Sequence, residues 1–509
     1  MSRILLVVAM LLVTLGLGAA RPAAADPLRV CTFRYNTGDE LSVFTAALPS
    51  PDFEFIDLMP DMSFTGAAPS GEAPAGDSSR ATPQAWLLNR CRAGLRCDIV
   101  VFTGEFAGCF FGVAGASPTV QELEEVACRA RCAGLFHAPQ EVFLLACNTL
   151  ATKDPDERTP QRYMDILLEH DFDPAAAEQA VALRYGPIGP SYRQAFRRIF
   201  AGVPRIYGFA SPAPIGPYSV PLLQSYFRKQ GDYRRFLQAA NGDPAPNRAL
   251  LTAFADTSLV QVAGLQPDDP AFRDRDVVCA LYDDSRSVAE RLQLIQDLSG
   301  RSDFLAFVPT MQMFLRRHPP AGYVGAERQV FDRVRASKGA SERVIGLLRA
   351  LDVSAAQLEL ALLAVQFGWV SQAEFRQIAV TCVRTMVKGD PTAGMVDVMC
   401  DAARYQPMAD AFLSEDLPDS AFADQDGIRL IACLSPKDRR VDTRLVAALD
   451  STNPWVQSWA AYALTQRLPL SPYVLQVLAR HLDTPSADVR ERLRWILSAQ
   501  PRLYPTPKR

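Results

Sequence analysis

The sequence predicts an α/β domain built on a mostly parallel sheet, followed by an all-α region. Three observations predict it. Apolar runs with little polar alternation recur in the N-terminal half, helical patterns fall between them, and beyond about residue 220 only helical periodicity remains. Continuous apolar runs suit strands buried on both faces, and strand–helix alternation argues for βαβ units with right-handed crossovers.

Five segments carry the strand signal. Leu28–Tyr35 and Phe53–Leu58 are rich in β-branched and aromatic residues, Cys97–Thr103 and Glu141–Cys147 are nearly all apolar, and Arg205–Phe209 is shorter. Between them, helical patterns span Glu40–Ala47, Pro83–Arg92, Val120–Leu135 and Ser191–Ala201. Residues 60–83 are rich in Gly, Ala, Ser and Pro and read as a flexible surface insertion. These features delimit an α/β domain over residues 26–220. Residues 221–440 form a helical region in which Ser287–Leu298, Phe304–Arg317, Ser341–Leu351 and Ala355–Phe367 show a 3.6-residue period. Residues 501–509 read as a tail.

An internal echo lies near the end, over residues 441–500. Leu449, Asp450, Val456 and Leu464 match Leu482, Asp483, Val489 and Leu497 at one offset of 33 residues. Each unit is a helix, a turn with Asp and Pro, and a second helix with an apolar stripe. One unit cannot bury its stripe alone, so stacking follows. The pair resembles HEAT-type repeats.

The N-terminus predicts export. Arg3 precedes an apolar run from Ile4 to Ala20, and small residues through Ala25 precede Asp26. That is the layout of a signal peptide over residues 1–25, with a run shorter than the roughly 20 residues of a spanning helix. Cys is absent before Cys31, against a lipoprotein signal, and abundant Ala and Arg with scarce Lys fit a bacterial periplasmic or secreted protein. No later segment predicts a stable membrane span. The net charge of −3, with Arg interleaved among Asp and Glu, argues against nucleic acid as a partner.

Seven of the eleven cysteines lie before residue 150. Disulfides persist in the periplasm, and an odd count leaves a thiol over if the rest pair. Pairing of Cys91 or Cys109 with Cys128 or Cys132 is one expectation; burial as small apolar residues is the other. Cys128, Cys132 and His137 spell an incomplete zinc set without an evident fourth ligand. No metal or other cofactor is expected.

In an open parallel sheet, ligands meet the loops at the carboxyl ends of the strands. That rule selects Asn36, Thr37, Gly38 and Asp39 after the first strand, Gly104 and Glu105 after the third, Cys147, Asn148 and Thr149 after the fourth, and Ser211 after the fifth. Cys147 ends an apolar strand and is followed by a turn-favouring Asn-Thr pair, which places its thiol toward the crevice.

Here the residues resemble a family. Asp98-Ile-Val-Val-Phe-Thr-Gly104 and Leu144-Leu-Ala-Cys-Asn-Thr149, with a helix between, are similar to the histidine and nucleophile strands of caspase-like cysteine peptidases, including separase and bacterial CHAT domains. The resemblance covers roughly residues 26–215. It implies a thiol nucleophile at Cys147, an imidazole that takes its proton, and a glycine amide that helps hold the oxyanion. This chain departs at both partner positions: Glu105 stands for the histidine and Phe106 for the glycine. A carboxylate beside a thiol disfavours the thiolate. Of the four histidines, His137 precedes the Cys147 strand and belongs at the opposite sheet edge. His170 follows Cys147 and is the candidate replacement base. Glu105 itself has three open roles: binding a basic ligand, pairing with an Arg, or capping the helix that follows.

The resulting expectation is a protein-interaction or scaffolding protein of the bacterial envelope. Its degenerate caspase-like domain would recognise a peptide or protein at Asp39, Gly104, Asn148 and Ser211, and its helical repeats would supply a second surface. The alternative is an active cysteine peptidase using Cys147 with His170 as a non-standard base.

Overall fold

The computed structural model describes residues 26–503 apart from 37, 60–82, 93, 112–117, 155–158, 170–179, 182–183, 215, 241, 351–353, 388–392, 414–415 and 424. Residues 1–25, where a signal peptide is expected, nearly all of residues 60–83, His170 and most of residues 501–509 lie outside the described residues. Two compact units divide the chain. One takes in the residues up to Leu150 and Phe196–Asp269, the other Ala151–Ala195 and Pro270–Arg509.

The first unit is built on a six-stranded sheet of order β2-β1-β3-β6-β7-β8. Its strands are β1 (Leu28–Arg34), β2 (Phe53–Asp57), β3 (Ile99–Thr103), β6 (Glu141–Leu145), β7 (Arg205–Phe209) and β8 (Leu259–Val262). The first five are mutually parallel, and β8 pairs antiparallel with β7. Every residue of β3, β6 and β7 is buried, which is why these runs lack polar alternation. A small antiparallel hairpin, β4 (Glu105–Phe106) with β5 (Phe110–Phe111), follows β3.

Helices of this unit are α1 (Asp39–Ala47), α2 (Pro83–Arg92), α3 (Val120–Ala127) and α4 (Ala133–Phe136); α5 (Pro160–Glu169) belongs to the second unit. Then come α6 (Tyr192–Ile199), α7 (Val220–Gln230), α8 (Tyr233–Ala239) and α9 (Arg248–Ala253). One sheet face buries Val30, Val101 and Phe143 against Phe44 of α1, Leu223, Tyr226 and Phe227 of α7, and Leu237 of α8. On the other, Phe33 stacks on Phe102 at 4.1 Å, Phe102 on Phe110 at 4.8 Å, and Phe106 meets Phe196 of α6 at 5.5 Å. The hairpin thus packs as part of this aromatic layer.

The boundary expected at residue 220 is corrected by this packing. Residues 220–269 complete the sheet unit: α7 and α8 cover one face and β8 supplies the edge strand. Residues 151–195 leave it. Residues 226–247 also join β6 and β7 in a buried polar cluster. Glu141 opens β6 and accepts hydrogen bonds from the hydroxyls of Tyr207 and Tyr233 and, at 2.8 Å, from Arg205 Nε. Arg205, 1% exposed, donates to Asp243 O at 2.8 Å, and Asn247 Nδ2 reaches the Tyr226 hydroxyl at 2.9 Å. Burial and the Glu141 charge hold the phenols of Tyr207, Tyr226 and Tyr233 well above their ordinary range.

Cys31 is bonded to Cys97 and Cys91 to Cys132, both within this unit, and Cys400 to Cys433 in the other. Cys109, Cys147 and Cys382 are thiols. Because Cys132 is bonded to Cys91, the Cys128–Cys132–His137 set does not stand as a metal site.

The second unit is helical. Its later helices are α10 (Phe272–Tyr282), α11 (Val288–Ser299), α12 (Val308–Arg317), α13 (Gly325–Arg335), α14 (Lys338–Ala350), α15 (Ser354–Gln366), α16 (Gln372–Val387), α17 (Ala393–Tyr405), α18 (Ser420–Ala423), α19 (Gln425–Leu434), α20 (Arg440–Ala448), α21 (Pro454–Thr465), α22 (Pro472–Arg480) and α23 (Ala487–Leu503). From α14 onward consecutive helices pair, and α15, α17, α19, α21 and α23 pack successively side by side. The stacking therefore begins well before residue 441. Cys400–Cys433 joins α17 to α19 at a separation of 33, the offset of the echo. Among the described residues no helix is long and apolar enough to cross a membrane.

One acid in this unit is misplaced for neutral pH. Glu359 of α15 is desolvated, which pushes its carboxyl up to about 7; Asp401 adds to the shift and Arg316 opposes it. In the unfolded chain it ionises near 4.5. Stability from this group therefore falls as pH rises from about 4.5 to about 7 and is level above. Glu359→Gln is expected to raise the helical unit's unfolding free energy by about 1–3 kcal/mol at pH 8 and leave it unchanged near pH 4. Urea titrations at the two pH values check this; equal stability at pH 8 refutes it.

Candidate functional site at the carboxyl edge of the sheet

The parallel strands bring the predicted loops to one edge. In the β3–β6 register Thr103 lies opposite Leu145, so Glu105 and Cys147 follow two residues beyond paired positions on neighbouring strands. Cys147 is half-buried, and its Sγ accepts the Ala213 backbone N–H at 3.3 Å. Asn148 adopts a left-handed conformation with φ 60°, tolerated by Asn better than by most residues, and its N–H donates to Ser211 O at 3.0 Å. Thr149 Oγ1 donates toward the Leu144 and Ala146 carbonyls, both at 3.1 Å, and accepts from Phe209 N at 3.2 Å. A Cβ at Gly208 would sit 2.6 Å from that oxygen, so only glycine allows β7 to approach this turn. The turn after β6 is thereby locked, with the sulfur as its outward group. Asn148 is fully buried, so its contribution is to the turn's shape; Ser211 is half-buried beside it.

Glu105 is half-buried, in the strand pairing with Phe111. The expectation that it caps a following helix is corrected: a hairpin follows, and the next helix, α3, is capped by Thr119 with Glu122 in a reciprocal capping box. Gly104 makes the preceding bend with φ 142°. Val120–Leu135 is accordingly two helices with a short turn between.

The sequence reading passed over Glu40. This acid is wholly buried in the first turn of α1 and organises the β1 side of the edge. Its carboxylate accepts from Asn36 Nδ2 at 2.7 Å, from Ser219 Oγ at 3.1 Å and from Gly216 N. Asn36 Oδ1 in turn accepts from Thr103 Oγ1 at 3.0 Å and Gly38 N at 3.1 Å. The segment from Ala213 to Ser219 thus touches Cys147 at one end and Glu40 at the other. Asp39 is half-buried, and Gly216 lies against it: a Cβ there would be 3.4 Å from Asp39 Oδ2. An Asn-x-Gly-Asp-Glu run directly after a strand was the available signal for this network.

A second thiol, Cys109, lies in the turn of the hairpin between β4 and β5. Burial, with the Glu122 carboxylate adding, pushes the Cys109 thiol up to about 11. The Tyr35 hydroxyl, also raised by burial first, is buried there without a hydrogen-bond partner among the described residues.

Comparison with protein-family models, curated proteins and solved structures finds no match for the chain. What the edge does must be read from its own chemistry. It holds one thiol receiving a backbone N–H, a neighbouring carboxylate and a buried acid that fixes the loops. The sheet unit contains a single histidine, His137, which ends α4 ahead of β6, whereas Cys147 follows β6. Strand β6 therefore separates the imidazole from the sulfur.

Proposed function

We propose that the sheet unit is a caspase-like domain that has lost peptidase chemistry and recognises a peptide or protein at its carboxyl edge, in an exported bacterial envelope protein whose helical unit supplies a further binding surface. One observation carries this reading: the sheet unit's single histidine lies at the edge away from Cys147, while a carboxylate, Glu105, follows β3 where the resembled family places its base. A carboxylate cannot favour the thiolate as an imidazolium does. The three disulfides described above fit an oxidising compartment. The helical pairs are read as HEAT-like, and such stacks present extended surfaces suited to protein ligands.

A second reading keeps Cys147 as a nucleophile with His170 as base. The Ala213 N–H on the sulfur favours it, because a donor there stabilises negative charge. Iodoacetamide labelling followed by mass spectrometry separates the two, with Cys109 as the internal unreactive thiol. The expected result is labelling of Cys147 no faster than free cysteine, falling about tenfold per pH unit below its pKa. Rapid, selective labelling at pH 6 that His170→Ala abolishes would instead establish the peptidase.

A further inference from the structure

The segment between β7 and α7 lies as a strap on the carboxyl edge. Its root is pinned to the neighbouring turns. Ser211 O accepts from Asn148 N at 3.0 Å, Ser211 N donates to Ser258 Oγ at 3.2 Å, and that hydroxyl donates to Pro212 O at 2.8 Å. Ala213 N–H then sits on the Cys147 sulfur at 3.3 Å. The far end is held at Glu40, whose buried carboxylate accepts from Gly216 N. Ser219 Oγ stands 3.1 Å from the same carboxylate and 2.7 Å from Gly216 O, so its proton serves one of them at a time. Either choice pins the strap. Strand β3 lies between β1 and β6 in the sheet, so a strap fastened beyond both neighbours passes its end.

Three features make the strap a part that can lift while the sheet stays folded. It is stiff: Pro212, Pro214 and Pro217 fix their φ angles and supply no N–H, so it cannot pair as a strand. It buries little: among its described residues Ala213 packs partly buried against the core, whereas Pro217 and Tyr218 stand in solvent, Tyr218 79% exposed. Segments with few buried apolar contacts open before the fold does. Its fastenings are also unequal. Sulfur is a weak acceptor, and a carboxylate is a strong one. The Glu40 end therefore decides whether the strap stays down, and stiffness carries a release there to Ala213.

We propose that this strap is a gate over Cys147, latched by Glu40. In the closed position Ala213 covers the sulfur; when the bonds to Glu40 break, the strap lifts and the thiol and its crevice become accessible. A ligand of the crevice binds the lifted position only, so the latch lowers its apparent affinity by the fraction of molecules that are open. The gate regulates the edge assigned above to peptide recognition and rests on that reading. Its test needs no peptide, so an edge that binds none and a strap that does not move are separate outcomes.

The test is iodoacetamide labelling of the native full chain, followed at Cys147 and Cys109 by mass spectrometry. In Ser219→Ala, Cys147 is expected to label about tenfold faster than in the parent, the weight of one hydrogen bond at a charged group. Glu40→Gln, which removes the charge, is expected to label faster still, and Cys109 keeps its parent rate in both. The parent gives a second measurement that holds if either variant misfolds. Its Ala213 and Gly216 amides are expected to show one common protection factor against deuterium exchange, lower than that of the β6 amides. An unchanged Cys147 rate in folded Ser219→Ala overturns the gate. So does equal acceleration of Cys109, which reports general loosening, or protection of the two amides that is unequal or as high as in β6.

Discussion

Glu141→Gln is expected to cost the sheet unit about 3–5 kcal/mol, the usual penalty for breaking one side of a buried ion pair. Glu141 is fully buried and the Arg205 guanidinium nearly so. Neutralising the acid strands the guanidinium inside the protein and weakens the hydrogen bonds from Tyr207 and Tyr233. Tyr233 thereby ties α8 to the start of β6, so the loss is expected to fall on the packing of residues 220–258. Arg205→Met alone leaves the opposite charge unpaired and should cost about as much. The Glu141→Leu/Arg205→Met double variant is expected to be more stable than either single charge deletion, because no lone charge remains. Urea unfolding followed by near-ultraviolet circular dichroism reads all of these. Single variants within 1 kcal/mol of the parent would show that the cluster is not a unit.

Removing the Cys31–Cys97 bond is expected to cost about 4 kcal/mol. The two cysteines are 66 residues apart, and a bond closing a loop of that length takes considerable entropy from the unfolded chain. Both sulfurs are fully buried, where β1 meets the residues leading into β3. The Cys31→Ala/Cys97→Ala variant should unfold at a lower urea concentration than the oxidised parent, and the fully reduced parent, which also loses Cys91–Cys132 and Cys400–Cys433, at a lower one still. An unchanged midpoint would mean that the sheet holds this loop closed without help, and would remove the bond as a reason for an oxidising compartment.

Much of the architecture was legible locally. The runs at Cys97–Thr103 and Glu141–Cys147 became β3 and β6 with their neighbouring turns, because a strand buried on both faces must be apolar throughout. Strand β8 was not legible. Leu259–Val262 is short, only partly buried and interrupted by Gln261, so it carries too little apolar signal to stand out. That Glu105 enters a hairpin, and so caps no helix, was not legible for a related reason: its partner strand is Phe110–Phe111, and a two-residue hairpin has no periodicity to read. Glu40 and Glu141 looked like ordinary acids at the starts of a helix and a strand. Their partners, Ser219 and Tyr233, lie 179 and 92 residues away.

By itself the sequence determined the five parallel strands, most of the helices between and after them, and that Cys147 closely follows a buried strand. Those properties are written in the spacing of apolar side chains, which sets the face that each element buries. Only the tertiary structure decided the strand order, the extension of the sheet unit to Asp269, the pairing of Cys31 with Cys97, and the network of Glu40 with Ser219 and Gly216. Such contacts join residues far apart along the chain. Their energy depends on burial and on a matching partner at the closed end of a long loop, and neither leaves a mark in the local pattern.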